Sequence, residues 1–190
     1  MGKFLILLLA LFVLACSSPE KQMIHNDLWA FEGAKNDPQL DALLTPIISD
    51  YEGMLKSLAK NDTSSLFGIA KSLILRCDTL PRLIQMKDTA KQRSLQLGLM
   101  NFEDELQGLV LEQYPNDIHV SINMATIQLL HLLGTVGYKK QLVYIFNTTD
   151  NNANAEEDGL VWIALTKKSI NPYYSINNEI VTAINILQDN

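Results

Sequence analysis

Few side chains in this sequence can react or hold a metal, and their spacing decides what each could do. Cys16 and Cys77 are the only thiols. Cys77 falls in register with Leu66, Ile69, Ala70, Leu73 and Leu80, an apolar stripe at helical spacing, so it reads as a small buried hydrophobe rather than a nucleophile. Met124 and His131 stand seven apart, on one helical face with Ile127 between them. A thioether and an imidazole so placed can hold Cu(I), but a core stripe has the same spacing, and core packing is the expectation. Residues 150–156, DNNANAE, alternate oxygen donors as a calcium loop does. Ala155 stands where an EF-hand needs Gly and Val161 where it needs a bidentate Glu, so a solvated loop is expected. Glu103, Asp104 and Glu105 are consecutive on a predicted helix and diverge around its axis, which suits a solvated face. His25 and His119 are expected in solvent, and Gly98 and Gly108 are isolated within a helical pattern. The sequence has no Walker-type loop, His-Glu-x-x-His, Cys-x-x-Cys or Gly-x-Ser-x-Gly. The expectation is a protein that is not an enzyme and carries no cofactor.

The chemistry of Cys16 is set by what precedes it. Lys3 makes a short positive start, and residues 4–14 are an unbroken apolar run, too short to span a bilayer but suited to a signal peptide. Val13-Leu14-Ala15-Cys16 has the form of a lipobox, in which the thiol after a small residue is lipidated and becomes the mature N-terminus. The alternative is a plain cleaved signal peptide with an incidental Cys. N-myristoylation at Gly2 is rejected because Ile6 stands where that motif needs Ser or Thr. The reading is therefore a signal peptide over 1–15, lipid attachment at Cys16, a polar tether over 16–36, and one domain over 37–190. Ser17 is compatible with sorting to the outer membrane.

The 190 residues hold 47% hydrophobic and 19% charged side chains, an ordinary composition for one globular domain. Removing residues 1–15 takes Lys3 with it, which shifts the net charge from -6 to about -7. No Lys/Arg block interleaves with aromatics, so nucleic acid is not expected as a partner, and the acidity argues against a polybasic membrane patch.

The elements that must position these residues are legible as four stripes. Asp37-Pro38 marks a helix start, followed by Leu40, Leu44, Ile47, Tyr51, Met54 and Leu58. Asn61-Asp62-Thr63 interrupts this stripe and caps the one containing Cys77, which Pro81 is expected to stop. A third runs from about Lys87 through Leu95, Leu99, Phe102, Leu106, Leu109 and Val110, ending near Tyr114-Pro115. Asn116-Asp117 is expected to cap a fourth, with Ile118, Ile122, Ala125, Leu129, Leu132 and Leu133 on one face and Gly134 and Gly137 at its close. Short links between amphipathic helices favour antiparallel neighbours, so the fold class is mainly α, an up-down four-helix bundle. The period then changes. Leu142, Tyr144 and Phe146 alternate with Val143 and Ile145, and 160–165 is a second short apolar run, predicting a small C-terminal β-hairpin packed on the bundle. The segment near 179–188 fits either a strand or a helix. Asn171-Pro172 signals a turn, and Trp162, Tyr173 and Tyr174 are broad amphipathic groups suited to covering the end of a core.

That last stretch, with Gly159, Trp162, Ile163, Ile170, Asn171, Pro172, Tyr173 and Tyr174 in order, resembles a bacterial family of unknown function. Its members occur as lipoproteins or fused to membrane-fusion proteins of heavy-metal efflux pumps. The helical part is similar from about Asp41, including residues 51–62 and the start of the last helix at Asp117-Ile118. Family members carry Cys-Pro-Met before the loop and Met-x-x-Cys-Gly after Asn-Pro-Tyr, a sulfur set that suits a soft metal. Here those positions read Phe146-Asn147-Thr148-Thr149 and Asn178-Glu179-Ile180-Val181-Thr182, and neither keeps a sulfur. The resemblance implies the helical fold with its clasp. The functional expectation is an envelope lipoprotein that binds a partner or ligand. The alternative is a metal-handling accessory of an efflux or resistance system.

Overall fold

The computed structural model describes residues 38–84, 86–146, 160–166 and 169–173, and the backbone alone of 147 and 184–185. The expected signal segment, Cys16, the expected tether with His25, residues 148–159 where a solvated loop is expected, Tyr174 and most of the 179–188 segment lie outside the described residues.

Four helices follow one another: α1 (Pro38–Ala59), α2 (Thr63–Leu83), α3 (Thr89–Leu109) and α4 (Pro115–Val136). The protein is a four-helix bundle with a small antiparallel sheet, as the periodicity predicts. Every residue of the first stripe is buried, and Leu66, Ala70, Leu73, Cys77 and Leu80 bury likewise on α2. The predicted stripes of α3 and α4 bury too, apart from Val110, which is partly covered. Removing these aliphatic side chains from water is the dominant stabilising term of such a bundle.

Local chemistry sets the helix ends. Asn61 takes a left-handed conformation (φ 55°), which Asn tolerates better than most residues, and turns the chain between α1 and α2. Asp62 then caps α2 by accepting the Ser65 N–H at 3.0 Å. Asp88 caps α3 through the N–H groups of Ala90 and Lys91. The Gln92 amide pins the link before it, donating to the Ile84 carbonyl and accepting the Met86 N–H. Gly137 (φ 68°) ends α4, where Tyr138 N–H bonds back to Leu133 O and Gly137 N–H to Gly134 O, the two bonds of a Schellman motif.

Three expected boundaries move. Pro81 does not stop α2, which continues to Leu83. A proline in the last turn forfeits one backbone bond, and the carbonyls there are about to lose their partners anyway. The third helix begins at Thr89 and ends at Leu109, short of Tyr114. Asn116-Asp117 does not cap α4. Tyr114 holds the cap position without a side-chain hydrogen bond, and Pro115 opens the helix where its missing N–H costs nothing.

Two interhelical relations fix the packing. Arg76 on α2 pairs with Asp50 on α1 at 2.8 Å. Gly98 on α3 faces Leu132 on α4 so closely that a Cβ there would lie 2.8 Å from Leu132 Cδ1. This isolated glycine therefore has a packing role, letting two helices approach. Close backbone packing joins α1 to α2, α2 to α3 and α3 to α4.

The sheet follows α4. Strand β1 (Tyr144–Asn147) pairs antiparallel with β2 (Val161–Ala164), aligning Phe146 with Trp162 and Ile145 with Ile163. The hairpin is thus where the sequence predicts it, although Leu142 precedes β1 and is exposed. A third, two-residue strand, β3 (Ile184–Asn185), pairs with the other side of β1, so the order is β2-β1-β3. At those two residues the strand alternative for the last segment is the one realised.

Candidate functional site: the clasp and the surfaces around it

Strand β2 lies at the edge of its sheet, and an edge presents unpaired N–H groups at alternate residues. Two of these meet helix side chains. Val161 N–H donates to Asn123 Oδ1 of α4 at 2.7 Å, and Leu165 N–H, just past the strand, donates to Glu52 Oε1 of α1 at 2.6 Å. Between them the Ile163 backbone lies beside the Tyr51 phenol. Thr126 spends its own proton on the Ile122 carbonyl at 2.8 Å, so the Tyr51 hydroxyl donates to Thr126 Oγ1. The Tyr51–Thr126 bond thus ties α1 to α4 beside the strand, with both residues wholly buried. Burial pushes the Tyr51 phenol well above its ordinary pKa and keeps it neutral. Strand β2 therefore seats along the seam between α1 and α4. The lower part of that seam is closed by Thr45 Oγ1 against Tyr138 Oη at 3.0 Å and by Lys139 N–H donating to buried Asp41 at 3.1 Å.

Aromatic groups cover the other face. Trp162 is buried, stacks on Phe146 at 5.3 Å and donates its indole N–H to Ser169 Oγ at 3.1 Å. Asn171 Oδ1 accepts the Tyr173 N–H at 2.9 Å, the turn that the Asn-Pro pair signals. That turn throws Tyr173 back over the sheet. Its ring meets Trp162 edge-on at 6.1 Å, and its hydroxyl donates to the Val161 carbonyl at 2.9 Å. Pro172 is buried beneath. The described members of the expected clasp, Trp162, Asn171, Pro172 and Tyr173, do come together.

His119 does not lie free in solvent, as its place in the first turn of α4 suggested. Its ring packs edge-on against Tyr173 at 5.4 Å, and the resulting loss of hydration lowers its pKa. Sequence reasoning missed this contact because Tyr173 is brought to His119 only by the turn at Asn171.

The candidate ligands fare differently. Cys77 is buried as expected, and burial, with the Glu103 carboxylate adding to it, pushes the thiol up to about 12. Met124 is not core. It is 38% exposed on the outer face of α4, and His131 is half-buried on the same face. Their sevenfold spacing is aligned with the solvent side of the helix because Ile118, Ile122, Ala125 and Leu129 take the inner side. Among the described residues no three His, Cys, Asp or Glu side chains gather as a metal site would require. No described helix is long and apolar enough to cross a membrane.

What remains on this face is apolar and open. Leu111 is 78% exposed and Tyr114 69%, both in the α3–α4 link, and Val120 is 58% exposed on the first turns of α4. Val120 and Met124 stand four apart on the outer side of α4, and Ile127 beyond them packs partly against the core. Carboxylates surround the same end of the bundle: Glu103, Asp104, Glu105, Glu112 and Asp117. No protein-family model, curated protein or solved structure matches this chain.

Proposed function

We propose that this chain is a lipid-anchored, non-catalytic protein of a bacterial envelope, held through Cys16 to the outer membrane, whose helical domain binds a protein partner. The observation that carries the binding reading is the row of open apolar groups Leu111, Tyr114, Val120 and Met124. Single exposed apolar side chains are ordinary, but a tyrosine and three aliphatic groups along one link and one helix face make a surface suited to a partner. The carboxylates at its margin favour a partner whose contacting rim is basic. The clasp serves this surface indirectly by fixing α4 against the sheet. The lipobox supports the anchoring, and the polar segment between Cys16 and Asp37 gives the domain reach from the lipid.

A photo-crosslinking residue at position 120 tests the binding in living cells. The expected result is one discrete adduct that disappears in a Leu111→Ser/Tyr114→Ser double variant. Absence of an adduct, or the same adduct from a crosslinker at exposed Lys71 on α2, would contradict the assignment.

A further inference from the structure

The chain is acidic overall, yet its charge is unevenly spread along the bundle. From Ser94 to Tyr138 there is no Lys or Arg, while five carboxylates occur. Six of the ten described Lys and Arg residues stand at the other end, while Lys56 and Lys60 lie at the close of α1 on the acidic end and Lys71 and Arg76 lie along α2. Arg82 closes α2, Lys87 lies in the link, Lys91 and Arg93 open α3, and Lys139 and Lys140 follow α4. Three interhelical relations bring these segments to one end. The Asp50–Arg76 pair aligns the start of α1 with the end of α2. The Gly98–Leu132 approach sets the start of α3 beside the end of α4, and Asp41 holds Lys139 N–H against the first turn of α1. Three carboxylates share this end. Asp41 is buried, Asp88 is occupied as the cap of α3, and Asp78 pairs with Arg82. Leu83 stands among the cations with 73% of its surface exposed. Pro38, where the segment from Cys16 enters the fold, is at this end too.

From this placement we infer that the basic end of the bundle is a seat for an anionic lipid surface, so that the anchored domain stands on its membrane rather than drifting at the end of its tether. The inference rests on the lipid anchor proposed above and adds an orientation to it. Each Lys or Arg held at an anionic surface strengthens the association about fivefold, and the attraction decays over a screening length of about 8 Å at physiological salt. A lone tether would leave the domain free to tumble, whereas exposed cations around Leu83 favour one pose, with that leucine dipping among the headgroups. The opposite, acidic end with Leu111, Tyr114 and Val120 then points away from the bilayer, toward a partner. The low net charge argues against a membrane patch only if charge is spread evenly, and here it is not.

The test uses the mature acylated protein in vesicles whose headgroups carry a fluorescence quencher. Single fluorophores are placed at exposed positions by Ala90→Cys on the basic end or Gln113→Cys on the acidic end, since Cys77 is shielded. With phosphatidylglycerol vesicles, the label at 90 is expected to be quenched and the label at 113 to stay bright. Quenching at 90 should be lost in phosphatidylcholine vesicles, in high salt, and in a Lys87→Glu/Arg93→Glu/Lys140→Glu variant whose circular dichroism is unchanged. A Lys87→Arg/Arg93→Lys/Lys140→Arg variant should retain it. A protein that floats with both vesicle types while the label at 90 stays bright, or is quenched equally in phosphatidylcholine, overturns the seat and leaves the anchor standing. A protein that floats with neither sinks the anchor and the seat together.

Discussion

The hydroxyl of Tyr51 on α1 donates to Thr126 Oγ1 on α4, although both residues are wholly buried and 75 residues apart in sequence. Beside this bond Asn123 and Glu52 take the N–H groups of Val161 and Leu165, so helix side chains stand where β2 lacks a neighbouring strand. The sheet is fastened along β2 at the point where α1 and α4 are joined.

Tyr51→Phe keeps the ring and its packing but removes the hydroxyl that joins α1 to α4 through Thr126. A loss of about 0.5–1.5 kcal/mol is expected, the net worth of one buried hydrogen bond. Urea unfolding measures it as a lower midpoint at unchanged slope. A change below about 0.5 kcal/mol would mean that water reaches the seam.

Trp162→Ala should cost about 3–5 kcal/mol, because the indole is buried and its removal leaves Phe146 and Tyr173 facing a void. Thermal or denaturant unfolding reads this directly. Near-wild-type stability would show that the clasp is not packed on the bundle.

The helices were legible in the sequence because burial selects one face of each, and Leu40 through Leu58 or Leu95 through Leu109 repeat the helical period without a fault. The Trp162 to Tyr173 clasp was legible for a different reason: Asn171-Pro172 dictates a turn, and broad rings on either side of it must meet something. The seam was not legible. Glu52 and Asn123 are polar residues at half-exposed helix positions, and nothing local distinguishes such a residue from a solvated one. Only the arrival of β2 gives them their role. Thr126 did carry a signal, since a hydroxyl among Ile122, Ala125 and Leu129 must find a partner once buried. Met124 and His131 were misread because a stripe has the same spacing on the outer face as on the inner one.

Cys77 should react slowly while the protein is folded. A thiol held near pKa 12 instead of 9.0 presents about a thousandfold less thiolate at neutral pH, and its burial blocks the reagent as well. In a Cys16→Ser chain, whose one remaining thiol is Cys77, a thiol reagent is expected to label only after denaturant is added. Rapid labelling of the native protein would contradict the buried placement on α2.

The His119 imidazole has its pKa lowered below 6.5 by burial beside Tyr173. Between the depressed value and 6.5 the unfolded chain holds a proton that the folded one refuses. This residue's contribution to stability is therefore intact above pH 6.5 and is lost as pH falls through that window. Comparing unfolding at about pH 7.5 and about pH 5.5, the wild type should lose more stability than His119→Gln. An equal loss in both would show that His119 is hydrated.

The anchoring proposed for the domain rests on one thiol, Cys16, and metabolic labelling with radioactive palmitate examines that thiol most directly. Label is expected in the wild-type chain and absent from Cys16→Ser, while Cys77→Ser keeps it. A wild-type chain that takes up no palmitate, or a Cys16→Ser chain that still does, would contradict the account.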